Sequence, residues 1–279
     1  MSTRAKKSVS KMLPRSRTLY NLLQRDWDGF SSVCGKRWSK IKKDLLAENF
    51  DKSLVLGSGY FGVVLSTNNK KLVVKVTSDH DEGYFNRLIL SDEVLRYSPG
   101  LPYVIDCFFI PEWDAYVILR ENINYGVPDL PESSPLMRAI PILDRYGERV
   151  LKIESDASKI LQSKVEFHAN SMYRRDFESA LRDVQGSIRV EIIKTLKGLP
   201  QTSESSRFYF VMEVLKHSLD KYGIALWDLH NLNLGKHKFD MREFDQNIFE
   251  LDTKSILISD VGGNFGSPVL DSIIESVDV

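Results

Sequence analysis

Residues Ser53–Ser78 read SLVLGSGYFGVVLSTNNKKLVVKVTS, and their reading decides the fold. Three short runs rich in valine and leucine are separated by a glycine-rich bend and by an Asn-Asn-Lys turn. That spacing predicts three strands joined as hairpins. The first bend fits Gly-x-Gly-x-x-Gly-x-Val at Gly57, Gly59, Gly62 and Val64, with Ser58 between the first two glycines. A dinucleotide-binding turn would need a helix directly after its third glycine. Here another apolar strand follows, so the glycines sit in a hairpin whose backbone is bare enough to approach a polyphosphate. The third strand holds Lys75 within Leu72-Val73-Val74-Lys75-Val76. Lysine is rarely buried unless paired, so this one needs an edge position or an acidic partner.

Working outward, residues 82–97 have a helical pattern, while YVIDCFFI (103–110) and AYVILREN (115–122) read as two more strands. The expectation is a five-stranded antiparallel sheet with a single helix after its third strand. Glu82 at the start of that helix and Glu93 near its end are both candidates for the partner of Lys75. Pro128, Pro131, Pro135 and Pro141 mark a linker, and residues 148–198 are mostly helical in pattern. A further helix over about 205–222 stops at Gly223, as helices often do. IALWDLHNLNLG (224–235) follows it directly. An acidic loop then leads to a strand over Ser255–Ser259 and to Asp260-Val261-Gly262. By itself the dodecamer reads either as a polar turn or as a catalytic loop in which Asp228 and Asn233 face a phosphate.

The glycine hairpin, Lys75, the Asp228–Asn233 spacing and Asp260 occur in the order of the protein-kinase signature. Over roughly residues 50–265 the chain resembles the eukaryotic-like protein kinase superfamily. Within it, the chain is most similar to the compact early Ser/Thr protein kinases of lytic podovirus-type bacteriophages. This likeness rests on GSGYFGVV, LVVKV, GLPYVIDCFF and WDLHNLN. The resemblance implies an α+β, bilobal protein-kinase-like fold. Residues 1–50 would be a basic extension, partly disordered and then helical; 51–123 an N-lobe; and 124–279 a reduced, mainly helical C-lobe.

The resemblance also implies the chemistry: an ATP- and Mg2+-dependent kinase phosphorylating Ser/Thr-bearing host proteins, of transcription or translation among others, and itself. Gly57, Ser58, Gly59, Gly62 and Val64 would cover ATP. Lys75, held by Glu82 or Glu93, would hold its α- and β-phosphates, and the segment Leu119–Asn122, with Leu119 and Glu121, would contact adenine. Asp228 would accept the hydroxyl proton, with Asn233 and Asp260 holding metal. Two carboxylates and an amide are the hard oxygen donors that Mg2+ prefers.

The chain departs from the family pattern at several positions. Leu226-Trp227 replaces the usual His-Arg before the catalytic aspartate, so control through an activation-loop phosphate is not expected. His230 stands where protein kinases carry lysine, as in small-molecule kinases of the aminoglycoside or choline type, and Val261 replaces phenylalanine. The 17 residues after Gly262 imply a C-lobe without the late substrate-binding helices. Three other functions stay open on the sequence: a small-molecule kinase, a kinase-like protein that inhibits a host protein by binding, and nucleotidyl transfer.

Composition sets the outer bounds. With 42% hydrophobic and 27% charged residues, the 279-residue chain reads as an ordinary globular protein. No apolar run reaches the ~18–20 residues a membrane span needs, so no membrane partner is expected. The N-terminus has basic residues but no apolar core of a secretory signal. Two cysteines far apart, Cys34 and Cys107, suit reduced thiols in a cytoplasmic chain. Residues 1–50 carry 12 Lys and Arg against 4 Asp and Glu, a net +8, which leaves 26 against 34, or −8, for the rest. Such a basic arm suits an acidic partner, nucleic acid, or the protein's own acidic surface. Residues 1–18 are expected to lack structure, with one or two amphipathic helices between Leu19 and Phe50.

Overall fold

Strand β3 (Leu72–Thr77) has all six residues buried and is the middle strand of a five-stranded antiparallel sheet. The others are β1 (Val55–Ser58), β2 (Gly62–Ser66), β4 (Val104–Ile110) and β5 (Ala115–Glu121), in the order β1-β2-β3-β5-β4. Burial on both faces explains why β3 and β5 are nearly continuous apolar runs rather than alternating ones. The sheet and its hairpins thus agree with the sequence reading, in an α+β chain.

The computed structural model describes residues 12–39, 54–126, 203–222, 224, 226, 233–246 and 256–259. It also describes isolated helical positions at Lys152, Asp183, Ser187, Val190, Glu191 and Lys194. The proline linker and most of the helical stretch expected at 148–198 lie outside these residues. Two units divide the chain. The first draws on residues up to Tyr97, Pro102–Ile123 and Lys238–Glu250. The second draws on Ser98–Leu101, Asn124–His237 and Leu251–Val279. Among the described residues, no helix is long and apolar enough to cross a membrane.

In the first unit, helices α1 (Pro14–Arg25) and α2 (Trp27–Trp38) precede the sheet. Proline opens α1, where its missing N–H costs nothing. This start lies inside the stretch expected to lack structure, so that expectation is corrected from Pro14 onward. Ser16, Leu19, Tyr20 and Leu23 form the buried face of α1, at helical spacing. Helix α2 buries Phe30, Cys34 and Trp38. Its end is fastened to β4, where the Asp106 carboxylate accepts from the Arg37 guanidinium and from Trp38 Nε1 at 2.8 Å. Burial pushes both cysteine thiols, Cys34 and Cys107, well above their ordinary range, which suits inert, reduced cysteines.

The single helix expected after β3 is in fact two. Helix α3 (His80–Ser91) ends at Asp92, whose carboxylate accepts from Leu95 N at 3.0 Å and starts a second, short helix, α4 (Glu93–Arg96). An extended Asp92 that caps the next turn outweighs continuation of the first helix. Helix α3 packs close to the sheet at Gly83, where an added Cβ would overlap the Tyr116 ring. Tyr116 is in turn wedged against His80, Tyr84 and Phe109. Gly83→Ala therefore gains about 1 kcal/mol of helix propensity but meets an overpacking cost of about 1–3 kcal/mol. A net destabilisation is expected in denaturant titration; a stabilised variant would contradict this packing.

In the second unit, β6 (Asn124–Tyr125), β7 (Leu234–Lys236) and β8 (Ile256–Ile258) form a three-stranded antiparallel sheet. Helix α5 (Ser203–Tyr222), close to the expected 205–222, packs on β8. Its buried Val211, Val214, Leu215 and Ser218 recur at helical spacing. The Ser98–Leu101 segment belongs to this unit: Gly100 O accepts from Ile258 N at 2.8 Å, and His237 Nε2 donates to Pro99 O at 2.9 Å.

Candidate active site

Lys75 is buried on β3, and its Nζ lies 2.5 Å from Glu82 Oε1 in the first turn of α3. The side chains are 7% and 3% exposed, so both charges are almost wholly removed from water. The local sequence places Glu82 there. Asp79 closes β3's exit by accepting from Asp81 N at 3.1 Å and Glu82 N at 3.4 Å, which starts α3 at once. Of the two candidate partners, Glu82 is therefore the one used. Glu93 is corrected: it is exposed at the start of α4, beyond the break at Asp92.

The glycine bend is a hairpin. Gly57 pairs with Val64, Ser58 with Val63, and Gly59 N donates to Gly62 O at 3.0 Å. Its three glycines differ in kind. A Cβ at Gly62 would meet Val76 O at 2.7 Å, so strand packing demands glycine there. At Gly57 and Gly59 a Cβ would meet nothing within 4 Å. Nothing in the hairpin itself excludes a side chain at those two positions, and the bare space they leave is what a close-lying phosphate chain needs. Gly59's own amide is occupied in the turn, so it contributes bareness rather than a donor. Phe61 sits at the hairpin's tip, and the Arg15 guanidinium of α1 lies over its ring at 5.0 Å. The sequence reading missed this contact.

Register decides which residues share the Lys75 face, because directly paired residues point to the same side of a sheet. Val64 and Ile118 pair with Lys75 on either side and share its face. Leu119 pairs with Val74 and so faces away from Lys75, fully buried. Arg120, opposite Val73, does share the Lys75 face and is 1% exposed. Glu121 is also buried, and its carboxylate accepts from Tyr103 N at 3.2 Å while its own N–H donates to Tyr103 O at 2.9 Å. The Glu121 side chain thus pins the end of β5.

In the second unit, Asn233 is half-buried just before β7, and its carbonyl accepts from Ser259 N at 2.7 Å. The pairing of Leu234 with Ile258 sets this register. It brings Asn233 beside the residue that precedes Asp260 in the chain. Asp228 and Asp260 themselves lie outside the described residues. An amide flanked in sequence by two carboxylates is a donor set that fits Mg2+.

A scan against protein-family models gives no match, and a search of curated proteins gives none either.

Proposed function

We propose that the protein is an ATP- and Mg2+-dependent Ser/Thr protein kinase with a bilobal kinase-like fold, encoded by a phage and acting on host proteins. The observation that carries this reading is the buried ion pair between Lys75, on the strand next to a glycine hairpin with two bare positions, and Glu82 of α3. A buried ion pair contributes little stability by itself, because desolvation offsets most of its attraction. A lysine held rigid on the exit side of that hairpin is suited to phosphate oxygens. In this reading the hairpin and Lys75 take the nucleotide's phosphates, and Asp228, Asn233 and Asp260 take the proton-accepting and metal-holding roles.

In the reaction, a substrate hydroxyl oxygen attacks the γ-phosphorus, and the bond from that phosphorus to the bridging oxygen breaks as ADP leaves. Asp228 accepts the hydroxyl proton. Lys75, aligned by Glu82, holds the α- and β-phosphate oxygens in line for transfer. Asn233 and Asp260 would hold Mg2+, which offsets charge on the transferring group.

The acceptor class is tested by incubating the protein with γ-labelled ATP, Mg2+ and either bacterial lysate protein or aminoglycoside and choline acceptors. Label recovered as phosphoserine and phosphothreonine is expected. Label found only on the small molecules would replace the protein-kinase reading with the one His230 favours.

A further inference from the structure

Between β7 and β8 the chain makes a long excursion whose residues Lys238–Glu250 belong to the first unit. Its described part is fastened at two points. Asp245 Oδ2 accepts from Tyr97 Oη at 2.9 Å and Tyr103 Oη at 3.1 Å, and Arg96 Nη2 is 3.7 Å away. Lys71 Nζ donates to Glu243 Oε2 at 3.0 Å and to Asp240 O at 3.2 Å. Between these anchors Met241 is fully buried, and Phe244 N closes a turn onto Met241 O at 2.9 Å.

Two of the anchoring residues, Tyr103 and Lys71, share another property. Tyr103 O accepts from Glu121 N, and Lys71 O accepts from Asn122 N at 2.8 Å. They are the backbone partners of Glu121, the last residue of β5, and of Asn122, which follows it. Asn122 Nδ2 adds a bond to Lys70 O at 2.8 Å. The excursion therefore grips, from both sides, the supports of Glu121–Asn122.

We propose that residues 240–245 form a brace that fixes the backbone of Glu121–Asn122, and that Asp245 is a positioning residue for the adenine end of the nucleotide. The proposal rests on the nucleotide-binding reading above. In this role Asp245 acts through Tyr103. The same excursion is the covalent path from Asn233 to Asp260, so the chain that carries two candidate metal ligands also secures the adenine-side backbone.

The test uses the full chain with Asp245→Ala and Asp245→Asn. Amide hydrogen exchange should quicken at Glu121 and Asn122 in Asp245→Ala while the amides of β3 stay protected. In kinase assays its KM for ATP should rise about 3- to 30-fold, with kcat nearly unchanged. Asp245→Asn keeps an acceptor for the tyrosines and should recover part of the loss. Should Asp245→Ala fail to fold, Glu243→Ala removes only the exposed partner of Lys71, and exchange at Asn122 should still quicken. Unchanged exchange and KM would overturn the brace, as would exchange that quickens uniformly through the sheet. A wild-type protein that binds no ATP would instead overturn the nucleotide reading and the adenine role, while the exchange data still decide whether the brace holds the backbone.

Discussion

Lys75→Met is expected to abolish phosphoryl transfer and also to lower stability by about 3–5 kcal/mol, the scale of removing one partner from a buried ion pair. Both effects have one cause. Glu82 is 3% exposed, and the ammonium beside it is what makes its charge tolerable in the fold. Activity loss alone would therefore be ambiguous, since a partly unfolded enzyme is also inactive. The double variant Lys75→Met/Glu82→Leu separates the two. Replacing a buried pair by apolar side chains of similar size is often neutral or stabilising, so the double variant should regain most of the lost stability. It should regain no transfer, because nothing then holds the α- and β-phosphates. Denaturant titration and transfer assays on all three proteins check this. A double variant that is both stable and active would make Lys75 a structural residue only.

Asp228→Asn is expected to lower kcat by at least ~10²-fold with little change in stability. Loss of a general base is typically worth that much, and an amide of the same shape cannot take the hydroxyl proton. Asn233→Ala should also act on turnover more than on folding. The bond from Ser259 N is received by the backbone carbonyl of Asn233, which alanine keeps. Steady-state kinetics beside thermal melts distinguish these outcomes. Normal turnover in both variants would reduce WDLHNLN to a turn between a helix and a strand.

What the sequence disclosed, and what it hid, follows from how local each signal is. The sheet was legible because its strands are dense in valine and other apolar residues and its turns carry glycine and asparagine. Lys75 was legible because a lone cation in an apolar run demands a partner. The choice between Glu82 and Glu93 was not legible, because it turned on a helix break. Asp92 caps α4 with a single hydrogen bond that no periodicity announces. The face of Leu119 was hidden because parity along β5 has no meaning until its register with β3 is known. The brace was hidden for the same reason on a larger scale. MREFD looks like any acidic loop, and only long-range contacts to Lys71, Tyr97 and Tyr103 give it a place.

The central claim is that this chain moves a phosphoryl group from ATP using Asp228. Transfer of γ-phosphate label to total bacterial lysate, run with wild type and Asp228→Ala side by side in Mg2+, tests it most directly. The account predicts labelled proteins with the wild type and a loss of at least ~10²-fold with the variant. Equal labelling by both proteins, or none by a folded wild type, would contradict it.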